Sequence, residues 1–252
     1  VTPSLPSGFS LVALDRVEST NDEAKILART GAPHGTVVWA RAQSKGRGRH
    51  GRRFQSPAGN LYVSVVLRPD CALQVAAEVS FLAALAVGEA LSGWLPAEAD
   101  VRYKWPNDVM VDGRKVSGIL LESSSDSNGR LEWLIVGVGI NVASFPAGLV
   151  PPATSLHASG GEGGTVEAVL EAFMARLAHW FAVWREKGFA PVREAWWRSA
   201  QGRGELLSVR RGDTVLRGRF ESLDVDGALI VTAEDGQLHR INAGDVYFSS
   251  GG

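Results

Sequence analysis

The chain has one cysteine, Cys71, and two methionines in 252 residues. A lone thiol cannot close an internal disulfide, and no cysteines and histidines stand at zinc-site spacing. Neither kind of staple is expected, and a reducing, cytoplasmic compartment is. Excess charge is missing too: 26 Lys and Arg against 27 Asp and Glu leave a formal net charge of −1. A chain that is no polycation is a poor candidate for nonspecific nucleic-acid binding as its main activity. No apolar run reads as the roughly 18 to 20 residues that cross a bilayer, and the start lacks a charged-then-apolar leader, so no membrane partner is expected. Internal repeats and low-complexity tracts are also absent. What remains is 45% hydrophobic and 21% charged. That suits a globular chain with one sizeable core, or a main domain and a small accessory one.

Against this balanced background, charge is concentrated in one place, the stretch Gln43-Ser44-Lys45-Gly46-Arg47-Gly48-Arg49-His50-Gly51-Arg52-Arg53-Phe54. Lys45, Arg47, Arg49, Arg52 and Arg53 put five fixed positive charges around three glycines. Glycine admits positive φ and lets backbone N–H groups approach a ligand, while arginine offers planar paired donors that match phosphate or carboxylate oxygens. A solvated basic hairpin and a nucleic-acid patch are the plainer readings of this segment taken alone. Five like charges around glycines are also expected to resist ordering until anions arrive.

Leu11 to Val17 reads as a first strand, followed by a helix opening at Ser19-Thr20-Asn21-Asp22-Glu23 and stopping at Gly31. Ser19 or Thr20 as N-cap would account for that start, although a helix N-terminus with free hydroxyls is also a polar ligand site. Strands Gly35 to Ala40 and Asn60 to Arg68 deliver and leave the basic loop, so the unit is strand, glycine-rich loop, strand, and not a Walker or Rossmann loop. Val75 to Leu91 has helical spacing and reads as a core helix. In Val101-Arg102-Tyr103-Lys104-Trp105-Pro106-Asn107-Asp108 a strand ends at Lys104 and Pro106 breaks the pairing, displaying Asn107 and Asp108. Asp112-Gly113 turns the chain into a strand over Lys115 to Glu122, and Leu131 to Gly139 follows as a third strand. Singly, these residues have bland readings: an ion pair of Asp108 with Lys104, a surface lysine at 115, bulges at Gly118 and Gly139. Helices over Val166 to Lys187 and Ala190 to Ala200 carry Trp180, Trp184, Trp196 and Trp197 at packing distance. From Gly204 on, short alternating strands predict a small β barrel.

The basic loop and Lys104-Trp105-Pro106-Asn107-Asp108, in this order and spacing, resemble the biotin protein ligases. The resemblance runs from Ser19-Thr20-Asn21 through Gly137-Val138-Gly139-Ile140-Asn141 to the final strands. It implies an α/β (α+β) fold, a mixed sheet flanked by helices and related to class II aminoacyl-tRNA synthetases, over residues 1–202. A small SH3-like β barrel over residues 203–252 would follow. It implies an ATP-dependent, AMP-forming enzyme that makes biotinyl-5′-adenylate, releases pyrophosphate, and passes biotin to a lysine of a biotin carboxyl carrier domain of acetyl-CoA carboxylase type. Biotin, ATP, magnesium and the carrier would be its substrates and partners, and a homodimer is open through an exposed sheet edge.

Carried over residue by residue, the resemblance makes Arg49, Lys115 and Asp108 the catalytic set. It lines the biotin pocket with Ser19, Thr20, Asn21, Gln43, Gly46, Arg47, Arg49, Lys115, Gly118 and Leu120. It sets Arg47, Arg49, Arg52, Phe54, Asn107, Lys115 and Asn141 at the nucleotide, and leaves the metal ligands unassigned. Asp108 would orient the acceptor lysine. Phe54 stands where many members have tryptophan, a smaller face for adenine without an indole N–H. No helix-turn-helix precedes the first strand, so no DNA-binding repressor role is expected. The competing readings are a lipoate or octanoate ligase of related fold, whose relatives lack this form of the loop, and a nucleic-acid-binding protein. The latter leaves Lys104 to Asp108 and Lys115 unexplained.

Overall fold

The computed structural model describes residues 3–248. Seven strands form the main sheet: β1 (Ser10–Val17), β2 (Thr36–Gln43), β3 (Leu61–Leu67), β4 (Val101–Lys104), β5 (Asp108–Val111), β6 (Arg114–Ser125) and β7 (Leu131–Ile140). Their order is β1-β2-β3-β7-β6-β5-β4, with β1 parallel to β2 and every other pair antiparallel, so the sheet is mixed as expected. Helix α1 (Thr20–Arg29) covers one face, burying Ala24 and Ala28 against Val38, Val66, Trp133 and Ile135. Helices α2 (Val79–Leu91), α3 (Val166–Lys187) and α4 (Ala190–Arg198) cover the other face and close the larger core.

Two local expectations change. The apolar stretch Leu73–Leu91, a 3-10 turn running into α2, has 19 residues and mean hydropathy 1.4, so by length and composition it qualifies for a membrane after all. It is instead the central core helix. Every residue of Val79–Leu91 except Glu89 is buried, with α3 and α4 on one side and the sheet on the other, which is why it is apolar all round and not on a single stripe. Gly88 lets Tyr103 lie against it, since a Cβ there would sit 2.5 Å from the Tyr103 hydroxyl. Ser19 does stand at the N-cap of α1, but its side chain makes no cap hydrogen bond. The Thr20 amide donates instead to Gln43 Oε1 at 2.7 Å.

The C-terminal strands β8 (Leu206–Arg211), β9 (Thr214–Leu223), β10 (Leu229–Ala233), β11 (Leu238–Ile241) and β12 (Asp245–Phe248) form a five-stranded antiparallel sheet in the order β11-β10-β9-β8-β12. Among the described residues no ladder joins β11 to β12, so the antiparallel strands are present as expected and closure into a barrel is not shown. It docks on the main domain through apolar and aromatic contacts. Trp105 Nε1 donates to the Gly227 carbonyl at 3.0 Å, and Trp197 meets Phe220 edge-on at 5.2 Å. This docking brings the start of β12 over the basic loop.

Candidate active site

The loop between β2 and β3 is a closed hairpin. Its amides are used within it: Gly48 N–H donates to Arg52 O at 2.7 Å and Phe54 N–H to Gly46 O at 2.9 Å, around a 3-10 turn at Arg49–Gly51. Positive φ falls on His50 (55°) and Gly51 (72°), not on Gly46 or Gly48. The Gly48 and Phe54 amides are thus already engaged within the loop. Four of the five charges already meet acids of the fold. Lys45 pairs with Glu18 at 2.8 Å on the outside, and Arg47 lies 2.6 Å from Asp22 and 3.1 Å from Glu122. Arg49 and Arg52 reach Asp245, at the start of β12.

A cleft of about 260 Å³ opens where this loop, the start of α1, the Lys104–Asp108 corner, β6, β7 and β12 converge. At its polar end the residues form a connected network. Thr20 Oγ1 donates to Gln43 Oε1 at 3.1 Å, Gln43 Nε2 donates to Ser56 Oγ at 2.9 Å, and Ser64 Oγ lies 2.8 Å from Thr20 Oγ1 and 2.6 Å from Asn21 Oδ1. Ser19, Thr20 and Asn21 are all buried. The Ser19 side chain, free of the cap bond, borders the cleft. Leu120 and the glycines of β6 and β7 form the wall: a Cβ on Gly137 would fall 1.9 Å from Asn21 Oδ1, and one on Gly139 2.5 Å from the Phe54 ring.

At the charged end Lys115 Nζ lies 2.5 Å from Asp108 Oδ1, so the aspartate's ion pair goes to Lys115 and not to Lys104. Gly118 leaves room for that pair, since its Cβ would stand 3.2 Å from Lys115 Nζ. The Lys115 backbone is clamped by Pro152 and Thr154. Arg49 Nη1 donates to Asn107 Oδ1 at 3.3 Å and to the Gly244 carbonyl at 3.2 Å, while Asn107 Nδ2 donates to the Ile119 carbonyl at 2.6 Å. Burial lowers the Arg49 pKa, against the charges of Asp245 and Asp108. Asn141 Nδ2 is committed to the Thr154 carbonyl at 2.9 Å. Phe54 lies along β7 and meets Tyr62 edge-on.

All the expected site residues line this cleft except Gly46. Gly46 is a packing position: a Cβ there would stand 2.3 Å from Ser56 Oγ and 2.5 Å from the Phe54 carbonyl, so only glycine lets the hairpin close. The sequence reading missed Lys104, Asp245 and Tyr247, which also line the cleft. Lys104 is buried in the cleft wall with its charge 5.7 Å from the Tyr247 ring, and burial lowers its pKa, with Lys115 adding and Asp108 opposing. Its signal was the motif itself; Asp245 stood only in a turn signal, Ala243-Gly244-Asp245. No group of three or more His, Cys, Asp or Glu suited to a metal gathers among the described residues.

The arrangement, cations and a carboxylate beside a polar and apolar pocket, suits joining a small carboxylic acid to a nucleotide phosphate. Comparisons with known proteins agree. A model of the biotin/lipoate A/B protein ligase family matches residues 51–198, and one of the biotin protein ligase C-terminal domain matches residues 207–249. A biotin–[acetyl-CoA-carboxylase] ligase of Paracoccus denitrificans is 42% identical over 93% of this chain and 99% of its own length. The bifunctional ligase/repressor BirA of Bacillus subtilis is 33% identical over 95% of this chain and 74% of its own. The biotin protein ligase of Aquifex aeolicus in complex with biotin and ATP superposes with a TM-score of 0.81, at 30% identity over 95% of this chain and 99% of that one. With the catalytic and C-terminal models on one chain, and a relative this similar along nearly its full length, the protein belongs to the biotin protein ligase family.

Proposed function

We propose that the protein activates biotin with ATP to biotinyl-5′-adenylate, releases pyrophosphate, and then biotinylates one lysine of a biotin carboxyl carrier domain of acetyl-CoA carboxylase type. The observation that carries this reading is the gathering of Arg49, Arg52, Lys115 and Asp108 with the Ser19–Thr20–Gln43 network in one cleft. In the first step the biotin carboxylate oxygen attacks the α-phosphorus of ATP and pyrophosphate leaves. Two anions must meet, so the protein's task is to position and neutralise them. Arg49 and Lys115 meet the carboxylate and α-phosphate, Arg52 meets the triphosphate, and Asn107 holds Arg49. Phe54 and Asn141 border the nucleotide. Ser19, Thr20, Asn21 and Gln43 take the ureido ring, with Leu120 along the apolar chain.

In the second step the acceptor lysine amine attacks the acyl carbon, AMP leaves with the bonding electrons, and the amine sheds a proton. Asp108, the partner of Lys115 in the resting cleft, orients that lysine and accepts the proton. Magnesium would accompany ATP as its counter-ion. The reading carries a cytoplasmic location, where ATP and newly made carriers meet. The test is to incubate the protein with ATP, magnesium, biotin and a carrier domain, with lipoate replacing biotin in parallel. Intact-mass and peptide analysis should find one biotinyl group on one lysine and no lipoyl group. A lipoylated carrier, or an unmodified one in both reactions, would overturn it.

A further inference from the structure

Behind the pocket wall, outside the cleft, β6 carries a carboxylate with no role so far. Glu122 Oε2 accepts a hydrogen bond from Asn21 Nδ2 at 2.8 Å, and Oε1 accepts one from Lys25 Nζ at 2.9 Å. Arg47 Nη2 lies 3.1 Å from Oε2, and the adjacent Asp22 lies 2.6 Å from Arg47 and 2.8 Å from Lys25. One side chain on the sheet thus ties together the first turns of α1 and the basic loop. Burial tends to raise this carboxyl, but the hydrogen bonds from Asn21 and Lys25 and the charges of Arg47 and Lys25 outweigh it, so its pKa lies below the ordinary value.

An ionised carboxylate only accepts hydrogen bonds. Asn21 must therefore turn its NH₂ toward Glu122, which leaves its oxygen on the other side, where Ser64 Oγ lies 2.6 Å away. A carbonyl oxygen has two lone pairs, so it can accept a second donor from a ligand. A ureido ring offers two N–H donors and one carbonyl acceptor, and Asn21 in this orientation suits an N–H. We infer that Glu122 sets the polarity of the biotin pocket, fixing the Asn21 amide oxygen as an acceptor and holding Arg47 at the pocket's end of the loop. This rests on the reading above that Asn21 meets the biotin ring. Glu122 acts on biotin affinity through Asn21 and is a positioning residue.

The test is calorimetric titration of biotin without ATP, together with KM for ATP at saturating biotin, on wild type, Glu122→Gln, Asn21→Ala and the double variant. A glutamine can donate as well as accept, so the bias on Asn21 is lost. Glu122→Gln should weaken biotin about tenfold while KM for ATP stays within about threefold. In the Asn21→Ala background the same exchange should cost less than about twofold, because the effect travels through Asn21. A loss under about threefold, a matching rise in KM for ATP, or additive losses in the double variant would overturn the assignment. Should Glu122→Gln not fold, biotin methylated on a ureido nitrogen supplies a ligand-side test: it should bind wild type about tenfold more weakly than biotin and lose most of that penalty in Asn21→Ala. An unchanged penalty there would count against the assignment. A wild type that binds no biotin would sink the functional reading itself, a result distinct from failure of the Glu122 role alone.

Discussion

The two ends of the basic loop are neutralised from different parts of the molecule. Arg47 is held within the main domain by Asp22 and Glu122, in a network that also ties in Lys25 and Asn21. Arg49 and Arg52 find their carboxylate on the C-terminal sheet, at Asp245, and the Arg52 side chain remains 59% exposed. The first end is a network of side chains from α1, β6 and the loop. At the second end Asp245 pairs with both arginines, and on the proposed reading an incoming triphosphate would compete with it. One run of like charges thus divides between acids of the main domain and an acid of the C-terminal sheet.

The largest expected effect is at Lys115 and Arg49, the cations of the proposed catalytic set. Lys115→Ala and Arg49→Ala should each lower the rate of adenylate formation by about 10²- to 10³-fold while melting temperature and circular dichroism stay near wild type. Wild-type turnover in either variant would remove that residue from the catalytic set. Next, Gly137→Ala puts a methyl on the Asn21 oxygen and should weaken biotin by about tenfold or more, whereas Gly48→Ala meets only ordinary contacts, the nearest at 3.6 Å, and should change it less than about twofold. Titrating both variants with biotin checks the pair.

A smaller effect is expected at the nucleotide end. Asp245→Asn removes the charge that competes with ATP, so KM for ATP should fall by about two- to fivefold, discounted because Arg52 is largely exposed, while KM for biotin holds. A rise in KM for ATP would make Asp245 a brace instead of a competitor. The smallest effect is on stability. Glu122 has a folded-state pKa below the ordinary 4.5, so its contribution is fully present above that value and is lost as pH falls through the depressed one. In urea melts, Glu122→Gln should be less stable than wild type at neutral pH, and the gap should close on acidification.

Local signals made much of the architecture readable. The stop at Gly31, with φ of 94°, the alternation through Leu61–Leu67 and the break at Pro106 between β4 and β5 all stand where short-range physics puts them. What was not readable depended on partners far along the chain. The Ser19 side chain leaves the cap unmade, and the Thr20 amide bonds to the Gln43 side chain, 23 residues beyond it. The Asp245 contact with Arg52 spans 193 residues and exists only because the C-terminal sheet docks on Trp105 and Trp197. Glu122 reads in sequence as the polar end of a strand, and its three donors come from α1 and the loop. The cluster of cations was visible, but the division of its charges between two sets of acids was not.

The most direct test of the central claim is exchange of labelled pyrophosphate into ATP, run with biotin, with lipoate and with neither, on wild type and Lys115→Ala. The account predicts exchange that depends on biotin alone and is lost in the variant. Exchange driven by lipoate, or exchange that survives the loss of Lys115, would contradict it.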